Sequence, residues 1–286
     1  MKLSPFENRF LQIVDTSFLH ATSMVSNSHP THFEWSREIK STDHIFLTHE
    51  KILLAKQYRS LGFNKIIGVF YESPSILSSI AKKIIKGADN LDLDLLIVSN
   101  SAMLNLPKSV WIPGGGIWNF ENVKDIDTLI VNKDSLISMA CSGKNVTKLH
   151  RVRRRIFDSL LFDDRVTLFG PPISNPQNSD NMLTKFCFSI IVENHLDHHY
   201  FTEKILNCFA QGTIPVYLGS HNVDKYFDNL GIIHFSSIQD LNNVLPTLTR
   251  ELYNSKISSI VRNHHVAMKS FSNIEDYIVN NIVKLK

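Results

Sequence analysis

The sequence predicts an α/β protein built from two Rossmann-like halves, and three observations carry that expectation. Short apolar runs of strand length alternate with amphipathic helical stretches along most of the chain, as in a mostly parallel sheet covered on both faces. Residues 186–219, FCFSIIVENHLDHHYFTEKILNCFAQGTIPVYLG, form one complete strand–helix–strand unit. Near residues 117–133 the periodicity weakens, which places a boundary between an expected first domain, 1–130, and an expected second domain, 131–286, closed by a C-terminal helix.

In the first half the candidate strands are 9–14, 44–47, 65–70, 93–98 and 110–112. Thr48 can cap a helix that buries Ile52, Leu53, Ala55, Tyr58 and Leu61 and stops at Gly62. A second helix, about 75–86, carries Ile76, Ile80 and Ile84 at spacings of four. The second half repeats the logic with a strand at 136–140, a helix at 148–162 and a strand at 166–169. The 186–219 unit follows: an apolar strand at 186–192, a helix capped by Thr202 that buries Ile205, Leu206, Phe209 and Ala210, and a strand at 213–218. A strand at 231–235 and helices at 238–253 and 257–284 complete the chain.

Composition narrows the function classes. The 286 residues are 43% hydrophobic, enough for real cores, and 30 basic against 27 acidic residues give a formal charge of +3. That balance excludes a nucleic-acid binder of the basic-tail kind. Cys141, Cys187 and Cys208 form no CxxC pair and lie in or beside apolar segments, which predicts reduced core thiols and a cytoplasmic setting. The N-terminal stretch carries Glu7, Arg9 and Asp15 within its apolar residues, unlike a signal peptide. No run reaches the roughly 18 apolar residues of a membrane span, which leaves a peripheral membrane contact open.

Four constellations can carry chemistry. Glu193, Asn194, Tyr200, Glu203 and Lys204 sit at the loop and helix start that a crossover places at the carboxyl end of the sheet. An acid at a helix start can accept paired ribose hydroxyls and a neighbouring lysine can offset phosphate, so the segment reads either as a nucleotide site or as a well-capped helix with a solvated lysine. In the run from Lys148 to Arg155, with His150, one of Arg151, Arg153, Arg154 and Arg155 could grip phosphate, whereas helical geometry leaves most of them solvated. Glu72, in YESPS at the end of a first-half strand, could take a proton from an incoming hydroxyl or simply start a helix. Gly114, Gly115 and Gly116 make a turn that permits close backbone approach. Two further features weigh less. His195, Asp197, His198 and His199 read as a solvated loop rather than metal ligands, and Asp92-Leu93-Asp94 fits strand alternation as well as a metal-binding DxD.

Taken in order, these segments resemble the α1,3/4-fucosyltransferase family. The stretch VENHLDHHYFTEKILNCFAQGTIPVYLGS is similar to the family's donor signature of F-E-N, Y-x-T-E-K, a helix and G-T-x-P-V-x-x-G. YESPS at 71–75, the strand and P-x-G at 110–115, and the series from Ser142 to Gly170 resemble its other segments. The resemblance implies a GT-B fold, with two Rossmann-like domains facing each other across a cleft, and metal-independent, inverting transfer from GDP-fucose to a glycan hydroxyl with no cofactor. It implies Glu72 as general base and Arg153, Asn194, Tyr200, Glu203 and Lys204 as donor-binding residues, with Glu203 on ribose and Lys204 near the diphosphate. Arg153 is singled out because it precedes Leu160 by seven residues, as the family arginine precedes its leucine. His150, Glu193 and Gly115 are secondary candidates. Ser142-Gly143 stands where the family usually has S-N, and the family spacer lacks the histidines found here. Two alternatives stay open: another nucleotide-sugar transferase of exostosin-like type, against which Y-x-T-E-K argues, and an inert binding protein on the same fold.

Overall fold

The computed structural model describes residues 9–14, 30, 33–118, 125–171, 173 and 181–283. The chain divides into two units, Met1–Asn119 together with Asn273–Lys286, and Phe120–Ser272. The first boundary falls earlier than residue 130, and the last segment groups with the first unit rather than closing the second.

The first unit is a six-stranded, all-parallel sheet of β1 (Arg9–Val14), β2 (Phe33–Ser36), β3 (His44–Thr48), β4 (Lys65–Phe70), β5 (Leu95–Val98) and β6 (Ser109–Trp111), in the order β2-β1-β3-β4-β5-β6. Its helices are α1 (Ala55–Ser60), α2 (Ser78–Gly87) and α3 (Ser101–Leu104). Ile45, Leu47, Ile66, Phe70, Leu96 and Val98 from the strands pack with Ile52, Ala55, Ala81 and Ile84. The expected burial of Leu53 and Leu61 fails: they are 36% and 65% exposed. The turn before α1, His49–Leu54, is a 3-10 helix, so three residues per turn carry Leu53 off the apolar stripe, and Leu61 lies beyond the helix end. Thr48 is extended but makes no cap bond, whereas Gly62 does end the helix with φ of 89°.

Asp92 and Asp94 are structural. Arg59 meets Asp92 Oδ1 at 3.3 Å and Asp94 Oδ2 at 2.6 Å, and Asp94 Oδ2 also accepts the Ile66 amide at 2.7 Å. Burial opposes ionisation of Asp94, but the Ile66 amide and the Arg59 guanidinium outweigh it and hold the carboxyl below the usual range.

The second unit begins with α4 (Ile126–Val131), within the stretch expected to be a connection; Asp125 caps it, and it buries Ile126 and Leu129. A helix of six residues with two buried positions leaves little periodicity to detect. Next come β7 (Ser135–Ala140), α5 (Lys148–Ser159), β8 (Val166–Phe169), α6 (Asn181–Thr184), β9 (Phe186–Val192), α7 (Glu203–Ala210), β10 (Ile214–Leu218) and β11 (Ile233–His234). These strands form a parallel sheet ordered β11-β10-β9-β7-β8. The buried β9, with neighbours on both edges, is its middle strand.

Helices α8 (Ile238–Val244), α9 (Arg250–Ser255) and α10 (Ile257–Phe271) complete the unit. The single helix expected over 238–253 is broken by a 3-10 turn, Leu245–Thr247, where Pro246 has no amide hydrogen to donate. The helix expected over 257–284 also breaks: Asn273 caps a new start by accepting the Asp276 amide, giving α11 (Ile274–Tyr277) and a π-helical segment, Ile278–Val283. In that last segment Val283 O accepts from Lys65 Nζ at 2.8 Å, inside the first unit. The three cysteines are free and buried, and among the described residues no helix is long and apolar enough to cross a membrane.

Candidate functional site

The second unit builds its site at the carboxyl end of β9. The Glu193 amide still bonds Leu218 O at 2.9 Å, continuing the ladder to β10, and the side chain is fully buried. A buried carboxylate must be held by donors. Glu193 Oε1 accepts the Thr202 amide at 3.0 Å, Oε2 accepts Thr202 Oγ1 at 2.9 Å, and Tyr217 Oη reaches Oε1 at 3.4 Å. Burial and the Glu193 charge push the Tyr217 phenol well up, keeping it a donor. The arrangement requires glycine at 219, because a Cβ there would lie 2.2 Å from Tyr217 Oη and 2.8 Å from Glu193 Cγ.

Thr202, locked by Glu193, is the N-cap of α7 and accepts the Lys204 amide. Lys204 Nζ then donates to Thr202 Oγ1 at 2.9 Å and to Glu203 Oε1 at 3.0 Å, and lies 3.4 Å from Glu193 Oε2. Burial works against the ammonium, but Glu203 and Glu193 outweigh it and raise its pKa above the usual lysine value. Glu193, an expected secondary donor contact, thus holds the lysine and the cap rather than offering a free carboxylate. Asn194, the next residue, is 8% exposed, and its Oδ1 is buried with no hydrogen-bond partner among the described residues. Tyr200 is 1% exposed, with its ring edge-on to His195 at 5.6 Å.

The arginine run divides as helical geometry demands. Arg153 alone turns inward, 8% exposed, with Nε donating to Val192 O at 3.0 Å and Nη2 donating to the same oxygen. Two of its five N–H donors are thereby used. Arg151, Arg154 and Arg155 instead line an open basin of about 670 Å³ with Ser142, Gly143, Lys144 and Asn145. His150 is buried as the N3 residue of a capping box, Nδ1 accepting the Thr147 amide at 3.1 Å while Thr147 Oγ1 accepts the His150 amide. Burial first, then the charges of Arg153, Lys144 and Lys204, lower its pKa to about 4, so it stays neutral. The cap uses Nδ1 as an acceptor, so in the neutral ring Nε2 carries the hydrogen that His150 can offer as a donor.

In the first unit Glu72 follows β4, half-buried, and its Oε1 accepts the Ser73 amide at 2.7 Å. Gly115 is buried in the loop after β6. The segment 195–199 is organised by Asp197, whose Oδ1 accepts the His199 amide at 2.8 Å and whose Oδ2 is 4.0 Å from His195 Nε2. No group of three or more His, Cys, Asp or Glu side chains is placed to hold a metal among the described residues.

Thr202, Tyr217, Gly219 and Gly170 complete the frame without having been singled out as site residues. A Cβ at Gly170, which has φ of 121°, would fall 2.0 Å from Cys141 O, so this glycine lets β8 end against β7. The sequence signal for both glycines was their place directly after an apolar strand.

Two parallel Rossmann-like sheets with polar clusters at strand carboxyl ends make an α/β fold of GT-B type. Two solved structures show the same fold: an α1,3-fucosyltransferase, at TM-score 0.54 and 16% identity over 90% of this chain and 82% of that one, and Anabaena Alr3699/HepE, solved in complex with UDP-glucose, at TM-score 0.60 and 10% identity over 85% and 79%. Residues 130–257 match the family described as glycosyltransferase family 10 (fucosyltransferase) C-term. The α-(1,3)-fucosyltransferase FucT of Helicobacter pylori is 26% identical over 98 residues, 33% of this chain, and the match spans 20% of that relative's length.

Proposed function

We propose that the protein is an inverting glycosyltransferase that moves fucose from GDP-fucose to a hydroxyl of a glycan, forming an α1,3 or α1,4 linkage. The observation that carries this reading is the coincidence of the family 10 segment with a cluster in which Lys204, Glu203, Arg153 and the unpartnered Asn194 Oδ1 share one sheet end. In this reading Glu203 exchanges its bond to Lys204 for the ribose hydroxyls, and Lys204 with the remaining Arg153 donors takes the diphosphate. Asn194 and Tyr200 complete the donor pocket.

The acceptor oxygen attacks C1 of fucose on the face opposite GDP while the bond from C1 to the phosphate oxygen breaks. Glu72 receives the hydroxyl proton, and the two cations neutralise the charge that develops on departing GDP. No covalent enzyme intermediate forms, and the chemistry requires no metal because Lys204 and Arg153 supply the neutralising charge.

Thermal shift and slow nucleotide release, measured with GDP-fucose, GDP-mannose, UDP-galactose and CMP-sialic acid, test the donor. GDP-fucose should stabilise the protein most and release GDP. Stabilisation by the UDP- or CMP-sugar alone would overturn the assignment. Glu72→Gln should keep donor binding and lose transfer, by about a hundredfold or more, whereas Glu203→Ala should weaken donor binding.

A further inference from the structure

One polar residue of the first unit plays no part in the scheme above, although the fold keeps it at a cost. His49 follows β3 with φ of 48°, in the left-handed region that few non-glycine residues adopt, histidine being among the more tolerant of them. It is 1% exposed, and its Nδ1 is buried with no hydrogen-bond partner among the described residues. The ring stands edge-on to Phe70 at 5.2 Å and to Tyr71 at 4.4 Å, the two residues that lead from β4 into Glu72. An unpaired buried nitrogen is unfavourable, and a role toward a ligand is one of the reasons a fold retains such a group.

The surroundings are of the same kind. Thr48 pairs in register with Val69, and its Oγ1 is buried without a partner. On the other side of β4, Ser99 Oγ donates to Tyr71 O at 2.8 Å, and Asn100 uses Oδ1 to cap α3 while its Nδ2 is buried without a partner. Unpartnered polar atoms thus occur at the carboxyl ends of β3 and β5, the two neighbours of the strand that delivers Glu72. A hydroxyl, a ring nitrogen and an amide are suited to the alternating donors and acceptors of a sugar.

We propose that His49 Nδ1 hydrogen-bonds a hydroxyl of the acceptor sugar and thereby positions that sugar for proton transfer to Glu72. This rests on the glycosyltransferase reading. Burial keeps the imidazole neutral, with Glu50 opposing only weakly and the pKa lowered to about 4, so the ring exchanges a hydrogen bond and leaves the proton to Glu72.

The test separates acceptor from donor by measuring two reactions of the full chain: hydrolysis of GDP-fucose by water, and transfer to lactose, N-acetyllactosamine or N-acetylglucosamine. His49→Phe keeps the ring but loses Nδ1. His49→Asn restores a polar atom at a similar reach in a residue that tolerates the left-handed backbone. The Phe variant should raise the acceptor KM about tenfold or more, with GDP-fucose hydrolysis within about twofold of wild type, and the Asn variant should recover most of the loss. Should the Phe variant fail to fold, His49→Gly, free at this φ, replaces it in the comparison with Asn. An unchanged acceptor KM, a parallel loss of hydrolysis, or equal behaviour of the polar and apolar variants would overturn the inference while leaving the donor assignment intact. A wild type that hydrolyses GDP-fucose but fucosylates none of the three saccharides would also overturn it. A wild type that neither binds nor hydrolyses GDP-fucose would instead remove the function reading, and this inference with it.

Discussion

Glu193→Gln isolates the group on which the second unit's site is hung. The change is nearly isosteric and leaves one oxygen, which can keep the Thr202 amide and the Tyr217 hydroxyl. The amide nitrogen then occupies the place of Oε2, 3.4 Å from Lys204 Nζ, where two donors face each other. Thr202 Oγ1 offers little relief, since it already accepts from Lys204. The loss is one buried charge-assisted contact plus the desolvation left uncompensated on Lys204, about 3 kcal/mol.

With a urea m-value of about 2 kcal/mol/M, the midpoint should fall by about 1.5 M. The three tryptophans, Trp35, Trp111 and Trp118, all belong to the first unit, so their fluorescence does not report on this site. Hydrogen exchange over residues 186–219 does, and protection should drop there first. A cycle with Lys204→Met should show coupling of about 1–2 kcal/mol between the two positions. A midpoint shift under about 0.3 M, or additive single and double variants, would refute the claim that Glu193 and Lys204 act as one unit.

Two other substitutions probe the same frame. Gly219→Ala drives a methyl into Tyr217 and Glu193 and should cost about 3 kcal/mol or prevent folding, while Gly143→Ala, with nothing within 4 Å, should change stability by less than about 0.5 kcal/mol; thermal melts of the pair decide it. His150→Gln keeps a side chain able to close the capping box but removes a titration. Because His150 has a folded pKa of about 4 against about 6.5 unfolded, the unfolded chain binds more protons between those values, and stability is lost as pH falls through the window. The Gln variant should therefore lose about 2.5 kcal/mol less than wild type between pH 7.5 and 4.5, read from urea midpoints at the two pH values. An unaltered acid sensitivity would place the titration elsewhere.

The architecture was readable where a segment carried its own pattern. β9, α7 and β10 follow from an apolar run, a threonine cap, a 3.6-residue stripe and a glycine stop, all adjacent in sequence. Arg153 could be chosen from its neighbours only by resemblance, since four arginines on one helix look alike until the sheet selects the inward one. What escaped depends on contacts distant in sequence. The tie of Asp92 and Asp94 to Arg59 and the roles of Tyr217 and Gly219 beside Glu193 leave no local signature. The helix breaks at Pro246 and Asn273 were local and could have been read: proline cannot donate, and Asn273 with Asp276 three residues on is a cap signal.

The C-terminal segment has a consequence for how the chain is made. The second unit is contiguous, so all of its internal contacts come from one uninterrupted stretch, Phe120–Ser272. The first unit is not: the segment that carries α11 and Val283 emerges only after the whole second unit, and until then Lys65 lacks the carbonyl it binds. The first unit therefore cannot complete its native contacts until the whole second unit has been synthesised, which ties the final folding of the earlier half to the synthesis of the later one.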